Sequence, residues 1–434
     1  MKEVKLQTQP YKGARDFYPE DMRVRNYIFD NWRKVCRKYG YEEYDGPFLE
    51  SFDIYAAKSG EELVNEQLYS FEDRGKRKVA IRPEMTPTLA RMVSQKYGEL
   101  VNPIRWFSIP NLWRYEKPQK GRLREHFQLN VDIFGVENAL AEAEILSVVV
   151  DILKQFGAKE NMFEIRLGNR RFLNDVFNEI GVSPSVNVIV VKAIDKMQKL
   201  SAGDFEKILA EDAKLSAQAI SKLKEFIKEP RDLMKKLLPS SIGAQEVTNL
   251  LELCKNQGIE KFVRYDPSIV RGLDYYTGSV FELFDLTPEN QRAMAGGGRY
   301  DNLVETFIGK KLSGIGFGMG DVTFKNFLEN WGLLPSITPD IDYFISVWPS
   351  ENPEFMKISL ETAKTLRKAE KNVITWTDNN SKLDKQLKYA DKKGTRFVVI
   401  IGENELKTGE ITIKDLTKKT QVTKPLAEFF EGIK

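Results

Sequence analysis

Histidine, cysteine and long apolar runs are all scarce in this 434-residue chain, and each scarcity removes a class of function. His126 is the single histidine, so hydrolase chemistry built on a Ser-His or Cys-His pair has little to stand on. Cys36 and Cys254 are too few for a disulfide framework or a cysteine-built zinc site, and a reducing cytoplasm is the simplest setting. No apolar run reaches bilayer-spanning length, and the opening MKEVKLQTQP lacks the apolar core of a signal peptide, so no membrane partner is expected. Gly314, Gly316, Gly318 and Gly320 do not spell G-x-G-x-x-G in any frame, and no G-x-x-x-x-G-K-[ST] occurs. Rossmann and P-loop readings lose support accordingly. A net charge of +3 is too small to predict nucleic-acid binding by itself.

What is present fits a soluble protein of two or three domains, with 41% apolar and 30% charged residues. The most informative stretch is WRYEKPQKGRLREHFQLNVDIFG, residues 113–135. It reads as two antiparallel strands joined by a loop. Arg114 and Glu116 share one strand face; after the loop His126, Gln128, Asn130 and Asp132 share a polar face, opposite Phe127, Leu129, Val131 and Ile133. From Arg114 to Phe127 there are five basic and two acidic residues, with Pro118 and Gly121 marking turns. A polar sheet face beside an arginine-rich loop suits an anionic, partly planar ligand such as a nucleotide. On pattern alone, a hairpin with one solvated face explains it equally well.

Elsewhere Pro19-Glu20-Asp21 opens an amphipathic helix that Gly40 stops. Thr86-Pro87 reads as an N-cap followed by proline, and 138–156 as a helix. Residues 182–255 become lysine-rich amphipathic helices. After a linker at 334–340, strands at 341–348, 372–376 and 396–401 alternate with helices at 354–369 and 381–393, a small mixed α/β domain. Lys382, Lys385, Lys388, Lys392 and Lys393 cluster on the last helix, which is an RNA-contact candidate as well as an ordinary solvated face.

Arg-x-Glu, a basic loop and a strand ending in a carboxylate resemble motif 2 of the class II aminoacyl-tRNA synthetases, and RYEKPQKGRLRE most resembles the histidyl-tRNA synthetases. KGARDFYPE, IRPEMTP, VRGLDYYTGSVFE and AGGGRYDNLVE appear in that family's order. The resemblance implies an α+β fold: a class II catalytic domain over 1–333, an antiparallel sheet flanked by helices with a helical insertion at about 182–255, then an α/β anticodon-binding domain over 341–434. It implies a cytoplasmic homodimer, its interface built by the first helix and the strand near Phe48, that uses ATP and Mg²⁺ to activate L-histidine and transfers it to tRNA(His). Arg114 and Arg271 are then the catalytic cations. Glu84, Thr86 and Gln128 hold the substrate amino group, while Asp132, Tyr275, Tyr276 and Tyr300 read the imidazole. Glu116, Arg122, Arg124 and either His126 or Phe127 bind ATP. Most relatives read Phe-His where this chain reads His126-Phe127, and often glutamate at Asp132. GIGFGMGDVTF resembles motif 3, yet Thr323 stands where that motif ends in arginine. Another cation should therefore face the triphosphate, with Arg122 or Arg124 ahead of Lys310 or Lys311. A catalytically silent paralogue acting as a regulatory or RNA-binding subunit is the rival reading.

Arg271 yields a first prediction. Its role is to neutralise two anions as they close, so Arg271→Ala should slow adenylate formation by ~2.7–4 kcal/mol and transfer from preformed adenylate less. Pyrophosphate exchange within a few-fold of wild type would rule that role out.

Overall fold

Pro19–Lys38 is a helix whose acidic first turn, Glu20 and Asp21, faces the positive end of its dipole. Ile28, Phe29, Trp32, Val35 and Cys36 recur at helical spacing and are buried, and Gly40 takes the positive φ that ends the run. This computed structural model describes residues 7–57, 63–197, 200–270, 275–288, 290, 292–349, 351–378 and 381–433. Arg271 and Asp274 lie outside the described residues. The chain divides into two units: a larger one running to Pro335, and a smaller one from Ser336 onward that also takes in Tyr18–Val24.

In chain order the strands of the larger unit are β1 (Glu42–Glu43), β2 (Leu49–Ser51), β3 (Ser70–Glu72), β4 (Lys78–Ile81), β5 (Ile104–Ser108), β6 (Asn111–Trp113), β7 (Glu125–Phe134), β8 (Phe163–Asn169), β9 (Val263–Tyr265), β10 (Ser279–Asp285), β11 (Ala293–Arg299) and β12 (Gly314–Gly320). A nine-stranded sheet runs β1-β5-β7-β12-β11-β10-β8-β9, with β6 also on β7. Its inner pairs are antiparallel and only the outer β1–β5 and β8–β9 pairs are parallel. The antiparallel sheet flanked by helices is thus as the resemblance implied. β2, β4 and β3 form a separate small sheet.

The β6–β7 pairing is shorter than the alternation suggests. The first strand stops at Trp113, opposite Glu125, and 114–124 is loop held by Arg114 N–H donating to Arg124 O at 2.8 Å. The β7 face bearing Asn130 and Asp132 is covered rather than solvated, each residue being buried. Leu140–Gln155 is apolar nearly all round because it lies between layers, touching β7, β12 and the helix Ile242–Asn256.

Helices from Asn187 to Asn256 occupy the predicted insertion, and Ser201, Ser216 and Ser241 cap three of them. Phe205, Leu209, Phe226 and Val247 pack there against Phe172 and Phe177, giving these helices their own apolar core. In the smaller unit β13 (Tyr343–Ile345), β14 (Val373–Thr375), β15 (Phe397–Ile400), β16 (Glu410–Asp415) and β17 (Thr420–Pro425) run in the order β14-β13-β15-β16-β17. The first three are parallel, joined through Pro353–Lys368 and Leu383–Lys392. The β16–β17 hairpin and the helix Leu426–Glu431 went unread in the sequence because β17 is mostly exposed and shows no apolar alternation.

A buried ion pair ties the sheet to its central helix. Arg299 at the end of β11 binds Glu142 through Nε and Nη2, and donates to Val136 O at 2.9 Å. Their side chains are 5% and 7% exposed, so removing one partner strands a charge in the interior. Glu142→Ala should cost about 3–5 kcal/mol, read as an earlier urea midpoint for the larger unit. A shift below ~1 kcal/mol would show that water or Asp301 satisfies Arg299 instead.

Candidate active site

The half-buried start of β7 and the 114–124 loop border a cavity of about 710 Å³. Of the residues singled out in the sequence, Arg114, Glu116, Arg122, His126 and Gln128 line it. Phe127 points to the other face of β7, against Phe29 at 5.4 Å and Phe17 at 6.0 Å, with the Arg25 guanidinium 5.0 Å from its ring. Period-two alternation explains the split: adjacent strand residues face opposite ways.

Charge is already arranged around the cavity. Arg114 Nε donates to Pro83 O at 2.9 Å. Arg122 pairs with Glu116 Oε2, while the other carboxylate oxygen, Oε1, is buried with no hydrogen-bond partner. An orphaned acceptor of that kind is costly unless a ligand donates to it. Burial first, then the charges of Arg114, Arg15 and Arg122, push the His126 imidazole down to about 3, so it is a neutral ring at physiological pH. Arg124 is turned away from the cavity: its guanidinium stacks 4.1 Å from the Tyr115 ring, and Nη1 donates to Tyr11 Oη at 2.7 Å. Lys310 lies over Tyr97, 5.4 Å from the ring centroid, and Lys311 is exposed; neither lines the cavity.

Glu84, Asp132, Tyr275, Tyr276 and Tyr300 form a second, buried group. Tyr300 Oη donates to Asp132 Oδ1, and Tyr275 Oη to Glu84 Oε2 at 3.4 Å. The Tyr275 ring lies 4.8 Å from Tyr276 and 6.0 Å from Tyr300. Thr86 is the first residue of the helix Thr86–Gln95; Met85 precedes it as N-cap and makes no side-chain cap. Gln128 joins the two groups, lining the cavity while its Nε2 donates to Asn130 Oδ1 at 2.7 Å.

Glycines make this junction possible. Register sets Gly316 opposite Asp132 and Gly318 opposite Asn130. A Cβ at 316 would fall 2.0 Å from Asp132 Oδ1, and one at 318 would fall 2.1 Å from Gln128 Nε2. Polar side chains of β7 therefore lie across the bare backbone of β12. In the sequence these glycines stand out as failing to spell a nucleotide-binding fingerprint and as part of the motif-3-like segment; their period of two was the signal for this close approach.

Asp321 was also missed as a functional position. It is buried, pairs with Arg15 at 2.9 Å and accepts from Phe127 N–H at 2.9 Å, tying the KGARD segment to β7 beside His126. Arg292, just before β11, lines the cavity too. No motif flagged it.

Residues 13–321 match the family described as Histidyl-tRNA synthetase, and 345–434 match one described as Anticodon binding domain. The chain is 47% identical to the Histidine--tRNA ligase of Leptospira biflexa, over 100% of this chain and 99% of that protein. With the enzyme of that description from Haloarcula marismortui it shares 37% identity over 96% of each. The crystal structure of histidyl-tRNA synthetase from a Nostoc species superposes with a TM-score of 0.81 at 27% identity, covering 99% of both chains.

Burial raises the Asp132 carboxyl to about 7, with the Tyr300 hydroxyl opposing the rise. It raises the Tyr300 and Tyr44 hydroxyls as well, helped by the Asp132 charge. A carboxyl raised on folding adds stability that is fully present below its unfolded pKa, near 3.9, and is lost as pH climbs through about 7. Asp132→Asn should therefore melt like wild type near pH 4 and above it at pH 8. The gap corresponds to at most roughly 4 kcal/mol. Parallel pH profiles of melting temperature would refute this.

Proposed function

Because the chain belongs to the histidyl-tRNA synthetase family, we propose that the cavity beneath the 114–124 loop is where ATP meets histidine. In this family histidine and ATP form histidyl-adenylate and pyrophosphate, and histidine then passes to tRNA; the chain carries that ligase activity.

The attacking carboxylate is already ionised, so no general base is needed and positioning by cations dominates. Arg114 is the cation for the α-phosphate, joined in this reading by Arg271. Adenine lies on the neutral His126 ring with its amino group donating to Glu116 Oε1, the orphaned acceptor; that atom is the observation that carries the proposal. Arg122 exchanges its pairing with Glu116 for the distal phosphates. Gln128, Glu84 and Thr86 hold the α-amino group. Asp132 accepts from one imidazole N–H and a tyrosine hydroxyl of Tyr275, Tyr276 or Tyr300 meets the other nitrogen. A substrate N–H at Asp132 relieves the cost of ionising a buried carboxylate.

Among the described residues no cluster of three or more metal-ligating side chains exists, so Mg²⁺ enters with the triphosphate. Glu282 and Asp195 line the cavity and would serve as its protein carboxylates. Bound there, the ion would neutralise phosphate charge. For tRNA(His), the exposed lysines at 382, 385, 388, 392 and 393 support contact through the smaller unit. A homodimer is supported by Phe48, Leu49 and Phe71, apolar side chains 43%, 42% and 49% exposed on or beside the β2-β4-β3 sheet. No described helix is long and apolar enough to cross a membrane, and we place the protein in the cytoplasm.

Histidine-dependent exchange of pyrophosphate into ATP tests the assignment. Arg114→Ala should lose about 10²–10³-fold of it, the scale of one preorganised donor. A chain ended after Pro335 should keep the exchange yet charge tRNA poorly at low tRNA concentration. Exchange without histidine, or full charging by the shortened chain, would overturn the respective assignment.

A further inference from the structure

We propose that Arg292 is the cation that holds the distal phosphates of ATP, at the corner of the cavity where it meets the tip of the 114–124 loop. The inference rests on the reading of the cavity as the ATP site and adds a residue that no motif supplies.

Three segments meet at one point of the cavity wall. Gly121, at the tip of the 114–124 loop, has φ +76°; a Cβ there would lie 3.3 Å from Thr323 Cγ2 and 3.4 Å from Arg292 Cδ. All three residues line the cavity. Thr323, buried at the start of the helix Asp321–Asn330, is uncharged and short. Room for a guanidinium at this corner is thus taken by Arg292, arriving from the neighbouring segment just ahead of β11. Among the described residues Arg292 has no ion-pair or hydrogen-bond partner, although it is half-buried.

The other described arginines of the cavity are committed: Arg114 to Pro83 O, Arg122 to Glu116. A triphosphate brings roughly four negative charges at neutral pH. Arg122 can serve it only by giving up Glu116, whereas Arg292 gives up nothing. Guanidinium is also the better choice at such a place, since it stays charged when half-buried and can bind phosphate oxygens two at a time. Gly121, bare of a side chain, lets the loop tip come close to Arg292, so that Arg122 and Arg292 line the same cavity.

A cation on the distal phosphates discriminates by phosphate number, which gives the test. Calorimetric binding of Mg²⁺-ATP and of AMP to the full-length protein is compared for wild type, Arg292→Lys and Arg292→Ala. Arg292→Ala should weaken ATP about tenfold or more and leave AMP within twofold, with Arg292→Lys between. In histidine-dependent exchange the KM for ATP and for pyrophosphate should rise together while that for histidine stays put. Equal losses for ATP and AMP, or ATP affinity within twofold of wild type, would overturn the proposal. If Arg292→Ala does not fold, Arg292→Gln keeps the shape and removes the charge, with the same outcomes decisive. Absence of exchange in the wild type would sink the ligase assignment, but the ATP-to-AMP ratio would still decide for or against Arg292.

Discussion

The bare backbone of β12 beneath the polar side chains of β7 is the constraint on which the site depends. Asp132 and Gln128 approach that backbone so closely that a Cβ at Gly316 or Gly318 would fall inside van der Waals contact with them. Without it Asp132 and Gln128 could not lie across β12, and Gln128, which lines the cavity, would be displaced into it. One strand over, on the face shared with Phe317, a Cβ at Gly297 would likewise find no room, falling 2.2 Å from Gly316 O. Glycine is costly in a strand, since it gives up conformational entropy and packs nothing. The sheet recovers rigidity from its buried opposite face, where Ile315, Phe317 and Met319 alternate with those glycines.

Rigidity also comes from charges placed where they cannot be dispensed with. Arg299 is fixed by Glu142 and by the Val136 carbonyl, so the end of β11 and the helix above it move as one body. Asp321 does related work on the other flank of β7, holding Arg15 and the Phe127 amide. Burial nevertheless raises its carboxyl, because the pair with Arg15 only partly offsets the loss of water. These contacts are structural, yet the Asp321–Phe127 bond lies beside Gly320, Val322, His126 and Gln128, which line the cavity. A site that works by positioning needs such supports more than it needs reactive side chains.

Legibility in the sequence divides along physical lines. Alternation along β7 separated His126 from Phe127 correctly as faces, because period two is a local property. It could not say which face meets a ligand, since both are covered and only the sheet order reveals what covers them. Arg114, Glu116 and Arg122 were legible through their resemblance to a known loop; the turning of Arg124 onto Tyr115 and Tyr11 was not, because Tyr11 is distant in sequence. Arg292 and Asp321 were invisible for a similar reason: each acts where segments far apart in the chain cross, as with Phe127 and Asp321 at a separation of 194. Strand β17 of the β16–β17 hairpin lacked an apolar signal, being mostly exposed and polar.

The arginines tie fold to chemistry. Their charges add to burial in pushing the His126 imidazole down to about 3, so the same groups that would attract a triphosphate forbid the only histidine from carrying a proton at neutral pH. In a site whose reaction needed acid–base catalysis by that ring, this would be self-defeating. Adenylate formation asks for no such proton transfer: an ionised carboxylate attacks, and pyrophosphate leaves as an anion. A neutral imidazole is then an asset, a flat ring that offers a purine a stacking face without repelling the neighbouring cations. In the proposed reading the arginines, not the imidazole, meet the charge that develops, and the chemistry then tolerates a chain almost empty of histidine.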